Sequence, residues 1–169
     1  MQSKNSSVTE MNLLKAFAGE SQANRKYLAF AKQAEKEGYP RAAKLFRAAA
    51  EAETVHALAH FRALGQIGTT EENLRAAIAG ETFEFMEMYP PMIEKAEEEG
   101  HAEARRSFTF ANSVEMKHAE LYRQALDQME ALEVTDYYVC SVCGYTCADE
   151  APGACPVCGS AARAFSKTD

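Results

Sequence analysis

The first 139 residues of this 169-residue chain contain no cysteine; all five cysteines fall between Cys140 and Cys158. That excludes a disulfide framework for most of the chain and suits a reducing compartment with thiolate chemistry in one short tail. No run of about 18 apolar residues occurs, so no transmembrane helix is expected. Met1-Gln2-Ser3-Lys4-Asn5 leads into no apolar segment, so no secretory signal is expected and a cytoplasmic location is. Basic residues form no cluster and the formal net charge is −7. Neither nucleic acid nor an anionic membrane is therefore an expected partner.

Ala, Glu, Lys, Leu and Arg dominate residues 1–132, a composition that favours long helices. The scarce prolines and glycines punctuate them. Residues 1–7 are polar and expected to fray. A first helix is predicted from about Val8 to Lys36, ended by Gly38-Tyr39-Pro40. A second runs from about Arg41 to Leu64. Thr69 or Thr70, followed by Glu71 and Glu72, caps a third that reaches about Glu99, with a kink expected at Pro90-Pro91. A fourth runs from about His101 to Leu132. Glu133-Val134-Thr135-Asp136 then links to a tail of different composition. The expected fold is an all-α four-helix bundle over residues 1–134, with a small metal-stapled β/loop domain over residues 135–169.

The bundle carries a duplicated pattern. Glu53-Thr54-Val55-His56 and Glu115-Met116-Lys117-His118 are both Glu-x-x-His, and residues three apart share a helix face. Ala18-Gly19-Glu20 precedes Glu53 by 33 residues, and Ala79-Gly80-Glu81 precedes Glu115 by 34. Glu20, Glu53, Glu81 and Glu115 each fall roughly 10 to 14 residues into their helix, so all four can meet in one layer at about 1.5 Å rise per residue. Carboxylates with one imidazole per ion suit iron or manganese. Without metal, so many buried anions would be untenable.

Other residues are weighed against plainer roles. Glu84 lies one turn beyond Glu81 and is a further ligand candidate; the alternative is a solvent-facing carboxylate. Tyr27 and Tyr89 fall about two turns from Glu20 and Glu81, as site hydroxyls or as packing. His60 is expected to pack or to face solvent. Glu94 and Glu97 repeat the i, i+3 spacing inside an acidic run and are expected on a solvated face.

In the tail, Cys140-Ser141-Val142-Cys143-Gly144 pairs with Cys155-Pro156-Val157-Cys158-Gly159. Two Cys-x-x-Cys knuckles, each followed by glycine, predict a tetrathiolate site for iron or zinc. Cys147 has no fifth role and is expected to stand by. Tyr137, Tyr138, Tyr145 and Phe165 are expected to make a small apolar cluster.

Along its length the chain resembles the rubrerythrins, in which a ferritin-like di-iron bundle precedes a rubredoxin-like iron domain. The resemblance covers about residues 8–166. It rests on Gly19-Glu20 through Asn24-Arg25-Lys26-Tyr27, the two Glu-x-x-His tetrads, Glu81-x-x-Glu84 followed by Met88-Tyr89-Pro90, and the two cysteine knuckles. It implies Glu20, Glu53, Glu81, Glu84, Glu115 and His118 as ligands of two iron ions. His56 would replace Glu84 at one iron on reduction, and Tyr27 and Tyr89 would line the pocket. Cys140, Cys143, Cys155 and Cys158 would hold one further iron (or zinc); the extra Cys147 departs from the pattern. The implied activity is reduction of hydrogen peroxide to water in oxidative-stress defence. Electrons would pass through the Fe(Cys)4 centre from rubredoxin or an NAD(P)H-dependent reductase. The linker is expected to be too short for the tail to fold over its own bundle centre, which implies a head-to-tail homodimer, with helix or domain exchange left open. The alternatives are an iron-oxidising or iron-storing ferroxidase and a non-enzymatic zinc-containing interaction protein.

Overall fold

The computed structural model describes residues 7–129, 131 and 134–168. The expected frayed start at residues 1–6, and Leu132 and Glu133 at the expected helix end and linker start, lie outside the described residues. The chain divides into two compact units, one up to Gly68 and one from Thr69.

The first unit is a helical hairpin. Its first helix, α1 (Val8–Lys36), opens on a capping box. Ser7 Oγ accepts from the Glu10 N–H at 3.1 Å, and the Glu10 carboxylate accepts from the Ser7 N–H at 2.7 Å. Gly38 adopts φ +80°, which a side chain would resist, and turns the chain into α2 (Pro40–Ala63). The seam between the helices is made of methyl groups. Ala31 and Ala34 of α1, and Ala43, Ala50 and Ala57 of α2, are all buried. The seven-residue spacing in α2 keeps its alanines on one stripe. Phe17 stacks on Phe61 at 5.0 Å between centroids, and Tyr27, Phe30 and Phe46 form a second aromatic group further along. Asn24, buried in the seam, donates from Nδ2 to the Ala50 carbonyl at 2.7 Å and to Thr54 Oγ1 at 2.8 Å. A buried amide needs such partners, and these bonds fix the axial register of the pair.

The second unit begins with α3 (Thr70–Phe83), capped by Thr69 and Glu72 in a second reciprocal box. The expected proline kink takes a different form. Glu84–Met88 is a single π-helical turn, followed by α4 (Tyr89–Glu98) with its prolines in the first turn. Pro90 has no N–H to return to residue 86, and its ring crowds that carbonyl. The ladder widens instead, and the Tyr89 N–H bonds Glu84 O five residues back. Gly100, at φ +68°, then leads into α5 (Ala102–Asp127), where His101 Nδ1 accepts from the Ala104 N–H at 3.3 Å. α3, the π turn and α4 all pack along α5. α5 stops five residues before the expected Leu132. Beyond it the Ala131 N–H bonds Gln128 O, a tight turn in place of further helix.

The tail is a three-stranded antiparallel sheet in the order β2-β1-β3, with β1 Tyr137–Cys140, β2 Thr146–Ala148 and β3 Phe165–Lys167. Tyr138 faces Cys147 in β2 and Lys167 in β3. Of the expected aromatic cluster, Tyr145 and Phe165 meet edge to face at 6.4 Å. The fold class is the expected one: the helices of a four-helix bundle and a small C-terminal sheet with a four-cysteine cluster. The tail groups with α3–α5 in the second unit.

Candidate metal centres

Among the described residues three groups of ligand atoms converge, each group drawing its atoms within 4.8 Å of one another. The first lies in the helical hairpin. α1 supplies Glu20, and α2 supplies Glu53 and His56 on one face. His56 Nδ1 is 2.9 Å from Glu53 Oε2. Asn24 lies one turn beyond Glu20 and grips Ala50 and Thr54, which flank Glu53, so the seam hydrogen bonds also set where Glu20 meets Glu53. Glu20 and Glu53 are half-buried, while 56% of the His56 side chain is exposed.

The second group lies in the second unit. α3 supplies Glu81, and α5 supplies Glu115 and His118. His118 Nδ1 is 2.8 Å from Glu115 Oε2 and 3.9 Å from Glu81 Oε1. Burial, and then the Glu115 carboxylate, push the Glu81 carboxyl above its usual range. Burial and the Glu81 charge do the same to Glu84, which stands half-buried beside this triad at the start of the π turn. Tyr89, at the other end of that turn, has its phenol pushed up by burial and by Glu84, Glu115 and Glu81, and its ring packs 6.3 Å from Phe108. Crowded acceptors that raise one another's proton affinity are what a bound cation relieves. The donor set, two carboxylates and one imidazole in each triad, fits hard-to-borderline ions such as iron or manganese.

Two features of this site were not read from the sequence. Tyr122 follows His118 by one helical turn, and its hydroxyl is pushed up by burial and by Glu81 and Glu115; the i, i+4 spacing from a proposed ligand was the available signal. Leu74, Leu121, Tyr122 and Tyr137 border a cavity of about 310 Å³ beside His118. In addition, His118 Nε2 lies 3.0 Å from Thr146 Oγ1 in β2. The tail of the same chain therefore reaches the second triad, which corrects the expectation drawn from linker length. His118 lies nine residues before the end of α5, roughly 14 Å along the axis.

The third group is Cys140, Cys143, Cys155 and Cys158. Cys140 and Cys158 sulfurs lie 3.7 Å apart, and those of Cys143 and Cys155 lie 3.5 Å apart. The two knuckles repeat one backbone pattern. Gly144 N–H bonds Cys140 O at 2.8 Å and Gly159 N–H bonds Cys155 O at 2.9 Å. Both glycines sit at positive φ, +85° and +74°, where a Cβ would be strained. The Ser160 side chain, 3.2 Å from Cys158 Sγ, and the Ser160 N–H draw the Cys158 thiol down to about 6, whereas burial raises Cys143. Such tetrahedral sulfur clusters suit iron or zinc.

The remaining candidates are not among the ligand atoms of these groups. Cys147 Sγ is directed at the carbonyls of Glu150 and Tyr138, at 3.5 and 3.8 Å. The Tyr27 ring lies among Phe30 and Phe46. His60 is half-buried on α2 and His101 caps α5. Glu94 and Glu97 are exposed, with Glu97 3.6 Å from Arg105. Among the described residues no helix is long and apolar enough to cross a membrane.

These arrangements have counterparts. The family model for rubrerythrin matches residues 11–126, and that for the rubredoxin-like domain of rubrerythrin matches residues 138–166. A rubrerythrin of Porphyromonas gingivalis is 42% identical over 171 residues, covering 90% of this chain and 86% of that protein. Rubrerythrin-2 of Clostridium acetobutylicum is 36% identical, covering 87% and 89%. Among solved structures, nigerythrin in a fully reduced, all-ferrous state aligns with a TM-score of 0.59 at 34% identity, covering 99% of this chain and 90% of that one.

Proposed function

The chain belongs to the rubrerythrin family, and on that premise we propose that it is a non-haem di-iron peroxidase that reduces hydrogen peroxide to water. Glu20, Glu53 and His56 would hold one iron, and Glu81, Glu115 and His118 the other, with Glu84 as a further ligand beside the second triad. Cys140, Cys143, Cys155 and Cys158 would hold the third. When bound, the irons supply the two electrons that peroxide reduction requires and a template for its oxygens. The all-ferrous state of the similar nigerythrin supports iron as the metal.

The protein's own groups handle the protons. Tyr89 and Tyr122 keep their phenol protons beside Glu81 and Glu115, because burial and those carboxylates oppose ionisation. Tyr89, Tyr122, and Glu84 when protonated, are the candidate proton donors beside the second triad. Tyr27 is the matching hydroxyl on the first hairpin, displaced by 62 residues from Tyr89.

The observation that carries this reading is the four-cysteine tail lying against α5 at His118. A store of ferric iron needs no electron input, so the tail weighs against the ferroxidase reading. The electrons would enter from rubredoxin or an NAD(P)H-dependent reductase in a reducing, cytoplasmic setting. Leu45 and Val55 in the first unit, and Met86 and Met116 in the second, are each more than half exposed, which supports a homodimer that covers them.

The test is anaerobic stopped flow on the fully reduced, iron-loaded protein mixed with hydrogen peroxide. The expected result is rapid oxidation of the bundle irons, then of the thiolate iron, at two electrons per peroxide. Slow oxidation with net uptake of added Fe(II) into a ferric core would overturn it in favour of iron storage. A tail that takes only zinc in cells would remove the electron input.

A further inference from the structure

The contact between Thr146 and His118 has a direction. Thr146 Oγ1 is 3.0 Å from His118 Nε2 and 3.1 Å from the carbonyl oxygen of Gly144. A carbonyl can only accept, and a threonine hydroxyl has one proton. Thr146 therefore donates to Gly144 O and has only lone pairs left for the imidazole. His118 must donate its Nε2–H to Thr146. The other ring nitrogen, Nδ1, faces the carboxylates, 2.8 Å from Glu115 Oε2 and 3.9 Å from Glu81 Oε1. A cation that takes the place of the Nδ1 proton would find one imidazole nitrogen and two carboxylates converging on it.

We propose that Thr146 is a positioning residue for the second triad: through the relay His118 Nε2–H to Thr146 Oγ–H to Gly144 carbonyl, it fixes the tautomer and ring orientation that present Nδ1 to the metal. The relay ends at Gly144, the residue after Cys143 in the first knuckle. Gly144 also lies close to α5, where an added Cβ would come 3.8 Å from Val114 Cγ1. The backbone turn that shapes the thiolate site thus also anchors a ligand of the carboxylate site. The matching histidine of the first triad, His56, is largely exposed and shows no such partner on Nε2 among the described residues. The two triads therefore differ: one imidazole is held at both ring nitrogens and the other at Nδ1.

The inference rests on the reading of His118 as a metal ligand, and its test does not involve peroxide, so a failed peroxidase reading leaves it standing. The full chain, labelled with 15N-histidine and loaded with zinc, is compared as wild type, Thr146→Val and Thr146→Ser. Valine keeps the shape and removes the hydroxyl; serine restores it. In wild type and Thr146→Ser, NMR should show His118 protonated on Nε2 with slow solvent exchange. Thr146→Val should speed that exchange at least about tenfold. It should also weaken Co(II) binding to the bundle, with zinc already in the cysteine site, by about tenfold to a hundredfold. The cysteine site should be unaffected, its iron-loaded absorption matching wild type. Protonation of His118 on Nδ1 in the wild type would overturn the proposal, whatever the variants do. So would unchanged exchange and unchanged Co(II) affinity in Thr146→Val.

Discussion

Asn24 on α1 is bonded to Ala50 on α2, its Nδ2 donating to the Ala50 carbonyl at 2.7 Å within a seam that admits almost no other polar atom. Nothing else buried in the first hairpin is polar, so this amide alone tells the two helices which axial offset to take. Asn24→Ala is expected to lower stability by about 1–2 kcal/mol, the cost of the lost bonds. Urea unfolding of the metal-free chain measures it. Metal affinity at the first triad should fall as well, because Glu20 and Glu53 lose their shared register.

His118→Ala should remove one bundle metal per chain and leave the thiolate iron in place. Metal analysis beside the visible spectrum separates the two sites. Loss of both would mean that the tail depends on α5 for its own metal.

Glu84→Gln probes the charge crowding. Burial and Glu81 raise the folded-state pKa of Glu84 above the ordinary 4.5. A raised carboxyl binds its proton more tightly when folded, so its favourable contribution is present below 4.5 and is lost as pH rises through the folded value. The metal-free variant should therefore be more stable than wild type at neutral pH, and the difference should vanish below about pH 4.5. Paired denaturation curves at several pH values test the sign. With metal bound the order should reverse, since the variant then lacks a ligand.

Cys147→Ser should leave the iron-thiolate absorption of the tail unchanged, since Cys147 Sγ faces the backbone carbonyls of Tyr138 and Glu150 and is not among the four converging sulfurs. Cys143→Ser should abolish or shift that absorption. A changed spectrum in Cys147→Ser would place the fifth thiol within reach of the metal after all.

Much of this was readable in the chain itself, for reasons that differ by residue. Val8–Lys36 was bounded by local signals, a polar lead-in at one end and Gly38 at the other, although the Ser7 cap that replaces fraying there was not read. The two Glu-x-x-His tetrads were legible because three-residue spacing maps directly onto a helix face. The π turn was not. Proline announces a disturbed ladder but not whether it kinks or widens, and only a widened turn brings Tyr89 back toward Glu84 across five residues. The end of α5 was misplaced because Glu, Ala and Leu continue beyond Asp127 with no breaking residue. The Thr146 contact was hidden most deeply. It joins residues 28 apart through a turn and a strand, and no periodicity encodes such a meeting.

The alanine seam of the first hairpin acts as a calliper. The buried positions beside Asn24 are alanines: Ala31, Ala34, Ala43, Ala50 and Ala57 let α1 and α2 approach closely, and that approach bears on the gap between Glu20 and Glu53. The bite of the first triad is thus set by residues that never touch it. Each added methylene at Ala50 would open the jaws. Selectivity among ions of different radius could then be retuned from the seam, with every ligand left unchanged.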